Sequence, residues 1–448
     1  MTIGARHLWF RLFGCGFALG LVLAPSLLAQ GPQHYIVRFR EGTGNDVRAT
    51  IVRNAGAAVG FNFNQISAAT VSVANVTALS ALRNHPSVLD VIPDRPLSSH
   101  QGKGKPGGGS GGGSPQVVPA GVSRVGAPTS TSNGDGVGIA VLDTGVDLLH
   151  ADLQGTVDAF SAMGIYANYP NYPSCQDDNG HGTHVAGTIA ARDNSVDVIG
   201  VAPKATLYCV KVLDYSGNGT DSTIMAGLDW VLDHYNSYTP NIMVVNMSLG
   251  RRGTIDDNPA LRGLITSVVN AGITVVVSAG NDPNIDISQQ IPAAYSVDPG
   301  VFAVASTTAL TGSSPCRSSS APSLTSTSPI AADTASFFTT DGAFISAPGE
   351  DHEDVITVNK VCGVNPIGIL STRLGGGTTL MSGTSVASAH VAGVVARYYQ
   401  QNPLYKPANI GLALTSNAFG KGSGHIPLAS PSVFYTFDGE WEGIAQAP

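Results

Sequence analysis

The chain has 448 residues, of which 43% are hydrophobic and only 12% charged, and its formal net charge is -8. An average globular domain is roughly 25% charged, so this chain can build a large apolar core under a surface of uncharged polar residues. Because the acidic excess comes without any basic run, neither a nucleic acid nor an anionic membrane surface is expected as a partner.

Residues 1–30 have the pattern of a secretory signal peptide. Arg6 and Arg11 precede an apolar stretch over about residues 12–29. A membrane anchor is the alternative, but the stretch is shorter than the roughly 20 residues that a spanning helix needs, and it contains Pro25. We therefore expect cleavage near the end of this segment and export of the rest of the chain to the extracellular space.

Residues 31–100 predict a small α+β domain. Strand-like and helix-like stretches alternate there, at Tyr35–Phe39, Val47–Ala55, Thr70–Val73, Val76–Asn84 and Val88–Ile92. Residues 101–115 are rich in glycine and serine, a composition typical of a flexible tether. This run therefore marks a domain boundary.

Residues 116–448 predict a doubly wound α/β domain, with a mostly parallel sheet and helices on both faces. Apolar runs that alternate with helix-like stretches are Val137–Leu142, Leu207–Leu213, Met243–Asn246, Thr274–Ser278 and Val301–Val304. Strands that are apolar at consecutive positions are buried on both faces of a sheet. The site of such a domain is expected beyond the carboxyl ends of its strands.

Asp143, His181 and Ser385 are the candidate catalytic residues of this domain. Asp143 directly follows an apolar run, and His181 and Ser385 each stand near the start of a helix-like stretch of small residues. Taken singly, Asp143 is typical of a turn cap and Ser385 of a helix N-cap. Together the three residues supply the nucleophile, the base and the orienting carboxylate for hydroxyl attack on an amide, in a chain order known for such triads.

Two other chemistries fit these residues less well. His181 and His184 are spaced like a metal pair, but the glutamate of a His-Glu-x-x-His helix is missing. An esterase of the α/β-hydrolase kind would place Ser385 in a Gly-x-Ser-x-Gly turn and the histidine last in the chain. No Gly-x-Ser-x-Gly turn surrounds Ser385, and the candidate histidine, His181, comes before the serine in the chain.

The segments around Asp143, His181 and Ser385 resemble the signature blocks of the subtilisin-like serine proteases. The resemblance implies a serine endopeptidase that hydrolyses polypeptides of varied sequence through these three residues. A catalytically inactive binding module of the same family is the alternative. In the segment Ser278–Asn281, the resemblance implies that the Asn281 side chain joins the backbone N–H of the nucleophile in an oxyanion hole.

The same resemblance implies which segments bind the substrate. Ser248, Leu249 and Gly250 resemble the strand that lines the primary specificity pocket, and Gly217 and Gly219 resemble the edge that pairs with the backbone of an extended substrate. Residues 31–100 are similar to the family's propeptide, which implies an intramolecular folding chaperone and inhibitor that the enzyme itself cuts off between about Pro96 and Gln116. A monomer is the expected state of the mature protein.

A structural calcium ion is also implied by the resemblance. Its ligands would be side-chain oxygens of Gln116, Asp152 and Asn194 and backbone carbonyls of Arg192, Val196 and Val198. Ligation by oxygen atoms alone suits calcium. The alternative is a solvated polar loop.

Four cysteines remain after the predicted signal peptide, and in an oxidising compartment they allow two disulfides in three connectivities. Sequence order favours Cys175 with Cys209 and Cys316 with Cys362. The alternative for Cys209 is a free buried thiol in a strand. Arg251, Arg252 and an insertion over about residues 307–336 depart from the family pattern, so the preferred substrate side chain is not predicted.

Overall fold

The computed structural model describes residues 33–100, 115–157, 163–164, 174–312, 329–358, 361–420 and 442–448. The predicted signal peptide and nearly all of the predicted tether lie outside these residues, as does most of the predicted insertion. Within the described ranges, no helix is both long and apolar enough to cross a membrane.

The N-terminal part is the small α+β unit that the sequence predicts. Its elements are β1 (Gln33–Phe39), α1 (Asn45–Asn54), β2 (Ala57–Asn62), β3 (Ala68–Val73), α2 (Val76–Arg83), β4 (Val88–Pro93) and β5 (Pro96–Ser99). The first four strands form an antiparallel sheet in the order β2-β3-β1-β4. Val52 of α1 and Leu82 of α2 are buried with the apolar side chains of this sheet. Strand β5 leaves the unit and pairs elsewhere.

The rest of the chain forms the larger α/β domain. Its strands are β6 (Gly138–Asp143), β7 (Met163–Gly164), β8 (Thr206–Lys211), β9 (Asn218–Thr220), β10 (Ile242–Met247), β11 (Leu249–Arg252), β12 (Thr274–Ser278), β13 (Gln290–Ile291), β14 (Val301–Thr308), β15 (Ile345–Glu350), β16 (His352–Val358), β17 (Val361–Ile367), β18 (Ile369–Thr372) and β19 (Thr378–Met381). Its helices are α3 (Ala120–Arg124), α4 (His181–Ala190), α5 (Asp221–His234), α6 (Pro259–Asn270), α7 (Thr384–Gln401) and α8 (Pro407–Asn417).

One parallel sheet organises this domain. Its strand order is β15-β14-β12-β10-β6-β8-β7, and each neighbouring pair runs parallel. Successive side chains of a strand point to opposite faces. Leu142 of β6 is therefore buried with residues of α5 and α6, whereas Val141 is buried with residues of α4, α7 and α8. The predicted doubly wound fold is confirmed.

Smaller antiparallel pairs surround the sheet. Strands β16 and β17 form one hairpin, and β18 and β19 form another. Neither hairpin was predicted from the sequence. A four-stranded arrangement in the order β13-β11-β5-β9 takes its third strand from the N-terminal unit, and this arrangement lines the candidate site.

A disulfide joins Cys175 and Cys209, whose Cα atoms lie 6.1 Å apart. Cys209 lies in β8 and both residues are buried. The predicted pairing of these two cysteines is therefore present, and the alternative of a free thiol at Cys209 is wrong. Cys316 lies outside the described residues, so its pairing with Cys362 stays a prediction.

Candidate active site

Asp143 is the last residue of β6, at the carboxyl edge of the parallel sheet. Its Oδ1 accepts hydrogen bonds from the Nδ1 of His181 and from the backbone N–H of Thr144, both at 2.7 Å. Both side chains of the Asp143–His181 pair are almost fully buried. Because a carboxylate can only accept, Nδ1 of His181 carries the proton, and the Nε2 of the neutral ring is left as a proton acceptor.

The loop before α4 is held by a second buried carboxylate. Asp177 accepts hydrogen bonds from the hydroxyl groups of Thr144 and Thr183 and from the backbone N–H groups of Asn179, Gly180 and Thr183. Gly182, the second residue of α4, approaches the Asp143 turn so closely that a Cβ there would lie 2.1 Å from the carbonyl oxygen of Gly145. Only glycine therefore lets the helix bring His181 within reach of Asp143.

The surroundings of His181 tune its basicity in two opposing ways. Burial lowers the pKa of the ring, but the charge of Asp143 and the hydrogen bond to it outweigh the loss of solvent, so that the net shift is upward. The imidazolium form is therefore stabilised inside the protein. This is the property that a general base needs when it takes up a proton during a reaction.

Ser385 is the second residue of α7, and Gly383 is the N-cap. The interpretation of Ser385 as an N-cap is therefore wrong. Its Oγ is buried and makes no hydrogen bond, and the same is true of the Nε2 of His181. Unpaired buried polar atoms are rare in folded proteins, and these two belong to the residues proposed to exchange a proton. Helices α4 and α7, which carry them, pack against each other.

Asn281 follows β12 and points its side-chain amide into the site. Its Oδ1 accepts from the backbone N–H of Thr384 at 3.0 Å and from the Thr384 hydroxyl at 2.9 Å. Because both of these donors bond to the amide oxygen, the NH₂ group is the part of the amide that can donate into the cleft. Its Nδ2 donates to the backbone carbonyl of His100 at 2.7 Å, so a peptide carbonyl already sits where an oxyanion is expected to form.

Strand β5 occupies the cleft between β9 and β11. The N–H of Ser99 donates to the carbonyl of Gly217 at 2.9 Å, and the N–H of His100 donates to the carbonyl of Ser248 at 3.1 Å. The remaining predicted substrate-binding residues stand opposite β5 in the ladder: Gly219 faces Leu97, Gly250 faces Ser98 and Leu249 faces Ser99. The structure thus brings the five residues to the two edges that flank an extended peptide.

The predicted calcium ligands also lie together. The Nε2 of Gln116 donates to the carbonyl oxygens of Arg192 and Val198 at 2.7 and 3.1 Å, so the amide nitrogen, and not the predicted oxygen, faces these carbonyls. Asp152 accepts from the N–H of Val198 through Oδ2, while its Oδ1 is buried with no hydrogen bond. Asn194 folds back on the same loop and accepts from the N–H of Val196. A buried, unpaired carboxylate oxygen beside backbone carbonyls fits a hard cation.

Clusters of three or more His, Cys, Asp or Glu side chains suited to a metal do not occur in the described part of the chain. A cation at the Asp152 loop would therefore be held mainly by amide and carbonyl oxygens. Burial raises the pKa of the Asp152 carboxyl, an effect that a bound cation would oppose.

Three residues that had no predicted role of their own complete the site. Thr384 orients the Asn281 amide, and Ser278 and Gln290 contact the His100 ring. No sequence motif marks these contacts, because each one joins segments that are far apart in the chain. The contacts of Ser278 and Gln290 form because His100 follows β5 into the cleft.

A carboxylate, an imidazole and a hydroxyl assembled at the carboxyl edge of a parallel sheet, with an amide aimed at a peptide carbonyl, define the class of the serine-type hydrolases. Comparison with known proteins agrees. The model of the subtilase family of peptidases matches residues 134–431, which is more than half of the chain. The chain belongs to the subtilase family, and it is a serine-type endopeptidase.

The relatives are bacterial subtilisins and related proteases. Subtilisin J of Geobacillus stearothermophilus is 30% identical over 453 residues, which cover 95% of this chain and 99% of the relative. M-protease of Shouchella clausii is 35% identical over 314 residues, covering 69% of this chain and 67% of the relative. Among solved structures, fervidolysin from Fervidobacterium pennivorans, a keratinolytic enzyme related to subtilisin, has a TM-score of 0.64 at 22% identity and covers 93% of this chain and 60% of its own. This last likeness concerns the fold alone.

Proposed function

We propose that this chain is the secreted precursor of a serine endopeptidase of broad specificity, which cuts polypeptides through Asp143, His181 and Ser385 and releases itself from its own propeptide. The observation that carries the proposal is the peptide already in the cleft. Its backbone is paired on both sides, and the carbonyl of His100 accepts a hydrogen bond from Asn281. This is the pose that a substrate needs for attack on a carbonyl carbon.

The reaction follows from the positions of the side chains. Nε2 of His181 takes the proton of the Ser385 hydroxyl as its oxygen attacks the carbonyl carbon, and Asp143 stabilises the imidazolium that results. The Asn281 amide and the backbone N–H of Ser385 donate to the oxyanion. The imidazolium then gives its proton to the leaving amine, and an acyl-enzyme forms. Water, deprotonated by the same ring, hydrolyses the ester and restores the serine.

Broad specificity is supported by how β9 and β11 hold a peptide. The contacts of β5 with Gly217 and Ser248 are hydrogen bonds between backbone groups. Such bonds form with any extended segment, whatever its side chains. Only side chains that enter a pocket can add a preference.

The role of residues 31–100 as propeptide and inhibitor is supported by the same geometry. Strand β5 fills the cleft, and a substrate cannot enter until it leaves. The N-terminal unit also contacts α5, through Asp229 and Asp94. Residues 101–115 form the proposed tether, and residues 116–448 the proposed peptidase domain.

Secretion is supported by the signal-like pattern of residues 1–30 and by the disulfide between Cys175 and Cys209, since disulfides persist in oxidising compartments. We also propose that one calcium ion stabilises the mature protein, held by Gln116, Asp152, Arg192, Asn194, Val196 and Val198. The unpaired Oδ1 of Asp152 supports this site.

Hydrolysis of denatured casein by the secreted form, with and without a fluorophosphonate, tests the peptidase. Wild type should cleave casein and carry the label on Ser385, whereas Ser385→Ala should stay unprocessed, unlabelled and inactive. Ser382→Ala is the matched control, because its hydroxyl is also buried without a partner but carries no proposed role. Casein hydrolysis by Ser385→Ala, or correctly cleaved wild type that neither cleaves casein nor takes the label, would overturn the proposal.

A further inference from the structure

His100 is placed as the residue whose carbonyl would be attacked. Its carbonyl oxygen accepts from the Nδ2 of Asn281 at 2.7 Å, and its N–H donates to the carbonyl of Ser248 at 3.1 Å. Strand β5 ends one residue earlier, at Ser99. The side chain of His100 therefore enters the pocket next to the scissile bond, which is the primary specificity pocket of the cleft.

The His100 ring is buried in this pocket, with 7% of the residue exposed. Its Nδ1 lies 2.7 Å from the Oγ of Ser278, and its Nε2 lies 2.8 Å from the Nε2 of Gln290. A neutral imidazole has one donor and one acceptor, and both are satisfied here by groups of matching geometry. Burial and the nearby His181 lower the pKa of His100 to about 3, so the ring is uncharged in the pocket.

The walls of the pocket are rigid and fit a flat ring. A Cβ on Gly250 would lie 2.6 Å from the Cε1 of His100, so the ring rests directly against the backbone of β11. Gln290 is buried in β13, which pairs with β11, and its side chain packs against Gly280. Ser278 is the last residue of β12. Each polar contact to the ring therefore comes from an element that is fixed by the sheet.

We propose that the pocket of Ser278, Gln290 and Gly250 selects histidine as the residue before the scissile bond, and that the precursor is cut on the carboxyl side of His100. Gln290 and Ser278 are the residues that determine this specificity. The inference rests on the proposed peptidase function and narrows its specificity at the residue before the scissile bond.

The preference follows from the cost of leaving buried polar groups without partners. A leucine or phenylalanine in this pocket would bury the Gln290 amide and the Ser278 hydroxyl against carbon atoms. Sites built to hydrogen-bond a substrate group discriminate strongly against analogues that lack it. A lysine would bring a charge into a pocket whose contacts to the ring are an amide and a hydroxyl.

Peptide substrates copied from residues 96–100 test the inference. The mature enzyme is given capped Pro-Leu-Ser-Ser-Xaa p-nitroanilides at about pH 8, where a free histidine is uncharged, with His, Phe, Leu or Lys at Xaa. We expect kcat/KM for the His peptide to exceed that for Phe and Leu by about 10-fold or more. Gln290→Leu should lower this ratio to about one or less. Ser278→Ala gives a second reading of the ratio if Gln290→Leu does not mature.

Gln289→Leu is the matched control, because Gln289 is the exposed neighbour of Gln290 and should leave the ratio unchanged. Mass spectrometry of the released N-terminal fragment should find His100 at its end. Equal rates for the His and Leu peptides, an unchanged ratio in both pocket variants, or a fragment ending elsewhere would overturn the inference. Casein hydrolysis without a histidine preference overturns this inference alone, whereas absence of both hydrolysis and fluorophosphonate labelling overturns the peptidase as well.

Discussion

Replacing Asp229 by alanine is predicted to weaken the binding of the propeptide to the mature enzyme. Asp229 lies on α5 and is 1% exposed. Its carboxylate accepts from the backbone N–H groups of Asn64 and Gln65 at 2.9 to 3.1 Å. These bonds join the N-terminal unit to α5 and involve none of the residues proposed to act in catalysis, so their loss should leave catalysis itself unchanged.

The magnitude follows from the two backbone donors. Asp229→Ala removes the charged acceptor of both partly buried N–H groups, and each lost hydrogen bond to a carboxylate costs about 1.5 kcal/mol. Burial raises the pKa of Asp229, which shows that removing the carboxylate from water offsets part of the binding free energy that these hydrogen bonds contribute. A total of about 3 kcal/mol corresponds to an inhibition constant higher by about 10²-fold.

The assay dilutes freshly processed enzyme, still carrying its cleaved propeptide, into a fluorogenic peptide and follows the recovery of activity with concentration. Asp233→Ala is the matched control one helical turn away. It contacts the exposed side chains of Asn64 and Gln65, which water can satisfy, so it should change the constant by less than about threefold. An Asp229→Ala enzyme that recovers at the same concentration as wild type would refute the reasoning.

Three further outcomes are expected. Asp143→Asn should lower kcat by about 10⁴-fold. Because the carboxylate charge raises the pKa of His181, its loss should also move the acid limb of the kcat/KM profile to lower pH. An acid limb that does not move would contradict the proposed coupling of Asp143 and His181. Chelation of calcium should lower the melting temperature of wild type in a thermal shift assay but leave Asp152→Asn unchanged, and an equal response would remove Asp152 from the site. In an inactive background, Arg251→Met should lower the free energy of unfolding by about 3 to 5 kcal/mol, because it leaves the buried Asp221 without its ion-pair partner. The Arg252 side chain is 65% exposed, so Arg252→Met should lower it by less than about 1 kcal/mol. Equal denaturant midpoints for the two variants would contradict this prediction.

The parallel sheet was predictable because its strands are apolar at consecutive positions. The run Thr274–Ser278 coincides with β12, and the other predicted runs overlap β6, β8, β10 and β14. The hairpins formed by β16 to β19 were not predicted. Their strands mix polar and apolar residues, as in Thr378–Met381, and the pairing that stabilises them does not show in a local pattern.

The candidate site was predictable to the extent that local segments carry it. Asp143, His181 and Ser385 stand in segments whose composition and order point to one chemistry. Gln290 had no such signal, because its role depends on a ring that belongs to His100, far away in the chain. Whether Cys209 forms a disulfide was open for the same reason, since the sequence around a strand cysteine is the same whether its thiol is free or bonded.

Strand β5 is bonded on both of its edges, and whatever replaces it must be bonded in the same way. A segment inside a folded protein has its backbone groups already engaged, and it has to detach from its neighbours before it can become the middle strand here. The susceptibility of a folded protein to this enzyme is then governed by how often a stretch the length of residues 96–100 comes loose. A folded protein that rarely unfolds locally should be cleaved more slowly than a less stable one of the same composition. The rate of cleavage of folded substrates then depends on their local stability as much as on their sequence.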